Sequence, residues 1–94
     1  MFNPDAAAFR VLAAASAAPA PAWAIADTLR ASQPVQIIAY CHRLTAAGLL
    51  SARWVLLPGG WPRKLYETTD AGRALLADFR RQLDLLATGE PLPT

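Results

Sequence analysis

The sequence predicts a mostly helical domain with one small β-hairpin: three helices, a two-stranded ribbon and a longer closing helix. Three stretches predict it. Gln33 to Gly48 holds apolar residues at helical spacing between a proline and a glycine. Leu49 to Leu57 is rich in branched and aromatic residues and is followed by Pro58-Gly59-Gly60-Trp61-Pro62, which is turn chemistry, and by the alternating run Arg63 to Thr68. From Gly72 to Leu86, large apolar residues then recur every three or four positions. The chain has 94 residues, 54% of them hydrophobic, enough for one unit with a core of its own. Residues 1–69 read as its helix-and-ribbon part and 70–94 as the closing helix with a short tail.

Taken in order, Asn3-Pro4-Asp5 is a helix start, with Asn3 as the cap, proline in the first position and an acid in the first turn. The first helix runs to about Ala18, with Phe9, Leu12, Ala13 and Ser16 on one face and Ala8, Val11 and Ala15 as a second, smooth apolar face. That second face suits either a subunit contact or alanine-covered neutral surface. Ala18-Pro19-Ala20-Pro21 is a stiff break, because each proline fixes its own backbone and disfavours helix in the residue before it. The second helix covers about Ala22 to Ala31, with Trp23, Ile25, Ala26 and Leu29 predicted inside. The third follows at once, with Ser32 or Gln33 near its cap. Its stripe of Ile37, Cys41, Leu44 and Gly48 packs, while Val35, Gln36, Ala39, His42 and Arg43 point the other way. Thr69, followed by Asp70, caps the last helix, which runs to about Thr88 before Gly89.

Charge is modest, nine Lys or Arg against seven Asp or Glu, but unevenly placed. Residues 33–69 carry Arg43, Arg53, Arg63 and Lys64 against the single acid Glu67, which suggests a polyanionic partner meeting that surface. Cys41 is the only cysteine, so no intramolecular disulfide forms, and its place on the packing stripe suits a buried small hydrophobe better than a redox sensor. Arg10 and the prolines at 19 and 21 interrupt the alanine-rich run too soon for a bilayer span. These features point to a soluble cytoplasmic protein, and the alanine, leucine and arginine usage resembles a high-GC bacterial coding bias. No nucleophile-base pair, carboxylate cluster or glycine-rich phosphate loop stands out, so no enzyme activity is expected, and neither is a cofactor. His42 is the only histidine and has no second ligand nearby, so no metal site is expected.

Helix, helix, helix, ribbon, helix is the order of a winged helix-turn-helix, in which the third helix reads DNA and the ribbon is the wing. Several strings resemble the PadR-type transcriptional regulators: Trp23-Ala24-Ile25-Ala26 with Leu29; Pro34, Ile37 and Ile38, then His42-Arg43-Leu44 and Gly48-Leu49-Leu50; Ser51 with Trp54; and Arg63-Lys64-Leu65-Tyr66 with Thr69, Ala71 and Gly72. The resemblance spans about residues 9 to 79, and it rests on the order and spacing of strings that are individually unspecific. The chain departs from it at Pro21-Ala22, where the family has His-Gly, at Thr45-Ala46-Ala47, which replace acids, and in its more apolar wing tip.

Gln36 faces outward in the first turn of the third helix, where an amide can bond an adenine edge twice. Gln33 and Arg43 lie beside it, Tyr40 at the flank within reach of a phosphate, and Arg53, Arg63 and Lys64 in the ribbon. The plain alternatives are a solvated helix face and a charged hairpin limb that discourages edge pairing. Trp61 at the wing tip suits a minor-groove wedge, a partner contact or a shield for its own turn. Trp23 and Trp54 are expected in the core, though the resemblance leaves room for a small-molecule effector between subunits that they would line. One recognition helix offers few base contacts, so a homodimer on a two-fold symmetric operator is expected, acting as a repressor. Leu76, Phe79, Leu83 and Leu86, with Val11 of the first helix, are its expected interface. The rival reading is a winged-helix adaptor or antirepressor that docks on proteins through the apolar seam and the Trp61 loop.

Overall fold

The computed structural model of the protein describes residues 5–56 and 58–87, the side chains of 86 and 87 excepted. Six elements follow in order: α1 (Ala6–Ala17), α2 (Ala22–Thr28), α3 (Pro34–Ala46), β1 (Leu50–Leu56), β2 (Pro62–Thr68) and α4 (Asp70–Ala87). Asp5, rather than Asn3, caps α1: its Oδ1 accepts from the Ala8 N–H at 2.9 Å, while Asn3 and Pro4 lie outside the described residues, as do Thr88 and Gly89. The second helix is shorter than its periodicity predicts. It ends with Arg30 at φ 52, the Arg30 N–H on Asp27 O and the Ala31 N–H on Ala26 O, a Schellman closure with arginine where glycine is usual. At the end of α3 the same closure holds Gly48 at φ 78, with the Gly48 N–H on Thr45 O and the Leu49 N–H on Leu44 O. Pro34 opens α3 without a side-chain cap.

The core is built from Ala8, Val11, Leu12 and Ala15 of α1, Ile25 and Ala26 of α2, Ile37, Cys41 and Leu44 of α3, and Leu50 and Tyr66 of the hairpin. Two expectations change here. The alanine face of α1 is the buried one, and Val11, 0% exposed, is enclosed by its own chain and cannot meet a second copy. Phe9 instead turns toward α4 and stacks on Phe79 with ring centroids 3.9 Å apart. Alanines permit close helix approach, so the side with the smaller residues goes inward while the phenylalanine fills the gap to α4. Trp23 and Trp54, expected in the core, are 61% and 69% exposed.

β1 and β2 pair antiparallel from Leu50 opposite Thr68 to Leu56 opposite Pro62. The proline-rich break after α1 is used as a strand stub: Ala20 bridges Tyr66, covering part of the outer edge of β2. The base of the hairpin is anchored by the Thr68 hydroxyl, which donates to Leu12 O at 2.7 Å. Thr69 caps α4 by accepting from the Gly72 N–H at 3.1 Å while its own hydroxyl donates to Gly48 O. Gly72 allows this crossing: a Cβ there would sit 2.3 Å from Leu49 O and 2.7 Å from the Thr68 methyl. Beyond this point α4 packs mainly on α1 and then runs outward, giving extents of 55 × 26 × 23 Å.

Candidate nucleic-acid interface

Burial of Ile37, Cys41 and Leu44 fixes the rotation of α3 and presents the opposite side to solvent. The outward centre is apolar, with Val35 at 74% exposure. One edge is polar, carrying Gln36, Tyr40 and Arg43, and the edge toward the wing carries the exposed Ile38. An apolar centre beside amide and guanidinium donors is suited to a major groove, where thymine methyls lie among hydrogen-bonding base edges.

In the absence of DNA the polar edge is internally bonded. Gln36 Nε2 donates to Gln33 Oε1 at 2.5 Å, so the amide expected to read a base is paired with the other glutamine expected at DNA. The Tyr40 hydroxyl, expected at a phosphate, donates to Asp5 Oδ2 at 2.6 Å, and the Tyr40 ring lies under the Arg43 guanidinium, 5.5 Å from its carbon. Asp5 thereby caps α1 and ties it to α3. The Tyr40 hydroxyl and then the Ala8 N–H hold the Asp5 carboxyl below its ordinary range, and the same bond with Asp5 pushes the Tyr40 phenol up. Tyr40 thus acts first as a positioning residue for α3 and Arg43.

Two cations that the sequence reading passed over stand beside this edge. Arg10 and Arg30 line a polar hollow of about 260 Å³ with Ser32, Gln33, Gln36 and Tyr40, and Arg10 donates to the Leu29 carbonyl at 3.1 Å. In the sequence each is offset by an acid, Asp5 or Asp27, so regional charge counting hides them. The signal that could have found Arg30 is its place between the second and third helices, at the turn of the helix-turn-helix.

On the other side of α3, the start of α2 and the wing enclose a groove of about 400 Å³ lined by Pro21, Trp23, Ile38, Trp54, Arg63 and Lys64, among others. The Arg63 guanidinium lies over the Trp23 ring at 5.6 Å, and Lys64 Nζ over the Tyr66 ring at 5.5 Å. Arg63 and Lys64 are therefore brought together with α3 across the groove. Arg53 is exposed on β1 but is not part of the groove lining. Trp61, 87% exposed, does not fold back over its turn.

Between α1 and α4, Ala6, Phe9, Ala13, Leu76, Phe79 and Leu83, with Arg10 at its border to the polar hollow, line an apolar hollow of about 240 Å³. Of the expected interface residues, Leu76 is 4% exposed and belongs to the α1–α4 packing, whereas Leu83 is 47% exposed. The side chain of Leu86 lies outside those described. Trp23 and Trp54 are absent from this surface, so they do not line a pocket that it would form with another copy.

Burial raises the Cys41 thiol to about 11, with nearby Lys64 opposing the shift, so the group is a neutral thiol in the core. His42 is exposed on α3. Among the described residues no group of three or more His, Cys, Asp or Glu could hold a metal ion, and no helix is long and apolar enough to cross a membrane.

No family model matches the chain, and no curated protein matches it. Solved structures do. A PadR family transcriptional regulator from Eggerthella lenta is 28% identical, with a TM-score of 0.75 over 88% of this chain and 76% of that one. A PadR-like transcription factor from Bacteroides fragilis is 24% identical, with a TM-score of 0.76 over 88% and 84%. Bacillus subtilis PadR, solved in complex with operator DNA, is 18% identical with a TM-score of 0.72, over 96% of this chain and 52% of that one. The fold is that of a PadR-like winged helix-turn-helix regulator, as the strings from Trp23 to Gly72 imply.

Proposed function

We propose that this PadR-like winged-helix protein is a DNA-binding transcription regulator that acts as a homodimer on a two-fold symmetric operator, most simply as a repressor. The observation that carries the reading is the juxtaposition, around the exposed face of α3 with Arg43, of the two wing cations Arg63 and Lys64 on one flank and the turn cations Arg10 and Arg30 on the other. Sequence reading falls to Gln36, with Gln33 as its partner in the free protein, and to Arg43. Attraction to phosphate falls to Arg63 and Lys64, with Arg53, opposite Leu65, nearer the base of the wing. The regulator class leaves no reaction for the chain to catalyse.

Support for the dimer is the uncovered apolar surface of α1 and α4, which reaches exposed Leu83. A single α3 offers too few base contacts for useful specificity, and a second copy doubles them. A soluble cytoplasmic protein and the division at residue 69 are parts of the same reading. A small-molecule effector has no assigned site in it. The adaptor reading draws on the same apolar surfaces and on Trp61.

The two are separated by equilibrium binding to one duplex at several salt concentrations. For the regulator, log K falls with log salt at a slope set by several phosphates, Arg63→Ala reduces that slope by about 1, and Gln36→Ala weakens preferred over shuffled duplex by ~1–3 kcal/mol. An absence of salt-dependent duplex binding would overturn the reading in favour of the adaptor.

A further inference from the structure

The groove between α3 and the wing is unusual for a surface that meets a polyanion, because it is floored by tryptophan. Trp23 and Trp54 stand 61% and 69% exposed across it, with Ile38 on its α3 side, while its cations lie at Arg63 and Lys64. Solvent exposure of two indoles in so small a domain is unfavourable unless a partner covers them.

We propose that the exposed indoles of Trp23 and Trp54 are themselves contacts to duplex DNA, seated against the sugars of the strand that passes through this groove between α3 and the wing. In this assignment, which rests on the DNA-binding reading above, the indoles of Trp23 and Trp54 pack on the carbon-hydrogen faces of successive deoxyriboses. Arg63 and Lys64 take the flanking phosphates. Charge complementarity selects this occupant: the groove presents two cations and no acidic lining residue. A deoxyribose-phosphate strand is itself an alternation of apolar rings and anions, and it is the part of DNA that must pass between a helix in one groove and a wing at the next. Resting on the Trp23 face, the Arg63 guanidinium is held while its N–H edges remain available to a phosphate oxygen. Trp23 is accordingly a positioning residue for Arg63 as well as a contact.

Sugar packing carries no charge and no base information, and this gives it a signature. Trp54→Ala is expected to weaken a preferred duplex and its shuffled counterpart alike, by about tenfold for the apolar area lost, with the salt slope unchanged. Trp54→Phe should recover most of that loss. Arg63→Ala lowers the slope, and Trp23→Ala costs less in the Arg63→Ala background than in the wild type. Circular dichroism and thermal melting of each variant confirm that these exposed positions leave the fold intact. If Trp54→Ala binds both duplexes like wild type while Arg63→Ala still weakens them, the groove proposal is overturned and the DNA-binding reading stands. A loss confined to the preferred duplex would assign Trp54 to a base and would also overturn it. Failure of the wild type to bind any duplex at low salt removes both.

Discussion

Gly72→Ala sets two effects of opposite sign against each other. In an isolated helix alanine is better than glycine by about 1 kcal/mol, so propensity alone predicts stabilisation. The new Cβ, however, would lie 2.3 Å from the Leu49 carbonyl oxygen and 2.7 Å from the Thr68 methyl. Neither neighbour can give easily. The Leu49 carbonyl accepts the Thr69 N–H at 3.0 Å, and the Thr68 side chain is held by its bond to Leu12 O. Overpacking of this kind costs about 1–3 kcal/mol, and with backbone on one side the upper part of that range applies. A net loss of about 2 kcal/mol is expected, equivalent to a fall in Tm on the order of 10 °C for a domain of this size. Thermal melting and urea unfolding of the two proteins, followed by circular dichroism, measure it. A variant as stable as the wild type, or more stable, would refute the claim that the start of α4 is pressed onto the end of α3 and the base of the hairpin.

Three further outcomes are expected. Because the folded Asp5 carboxyl lies below its unfolded value, its contribution is present above about pH 4 and is lost as pH falls through the folded pKa. Wild type should therefore lose stability on acidification by an increment missing from Asp5→Asn, and superimposable pH profiles would count against the Asp5–Tyr40 tie. Cys41, buried and raised to about 11, should resist iodoacetamide at pH 8 in the native protein and react once urea unfolds it, whereas fast native labelling would place it nearer the surface. Leu83→Glu, at an exposed position, should leave monomer stability within about 0.5 kcal/mol while abolishing self-association in sedimentation. A dimer that survives it would move the interface elsewhere.

The fold was legible because its punctuation is chemical. Pro34, Gly48, the Pro58–Pro62 turn and Thr69 each end or start an element for a reason that holds in any context. What was not legible depended on size and on distant neighbours. Periodicity gave α1 two apolar faces without ranking them; only the approach of α3 and the hairpin shows that Ala8, Val11 and Ala15 join Leu12 inside while Phe9 faces α4. Trp23 and Trp54 looked internal by residue type, yet the wing carries Trp54 beyond the core and the Ala20 bridge holds the start of α2 beside β2. The candidate site was legible along α3 and β2, where the cations are local in sequence. Arg10 and Arg30 joined it only through the packing of α1 on the turn between α2 and α3, and the bond of Tyr40 to Asp5 spans 35 positions.

The central claim is that the α3 face and the wing read duplex DNA in pairs. It is tested most directly by selecting random duplexes with the purified protein at two salt concentrations while measuring its mass in solution. The account predicts a dimer and an enriched palindrome whose half-sites lie about 34 Å, one helical turn, apart. A monomer that enriches no sequence at either salt concentration would contradict it.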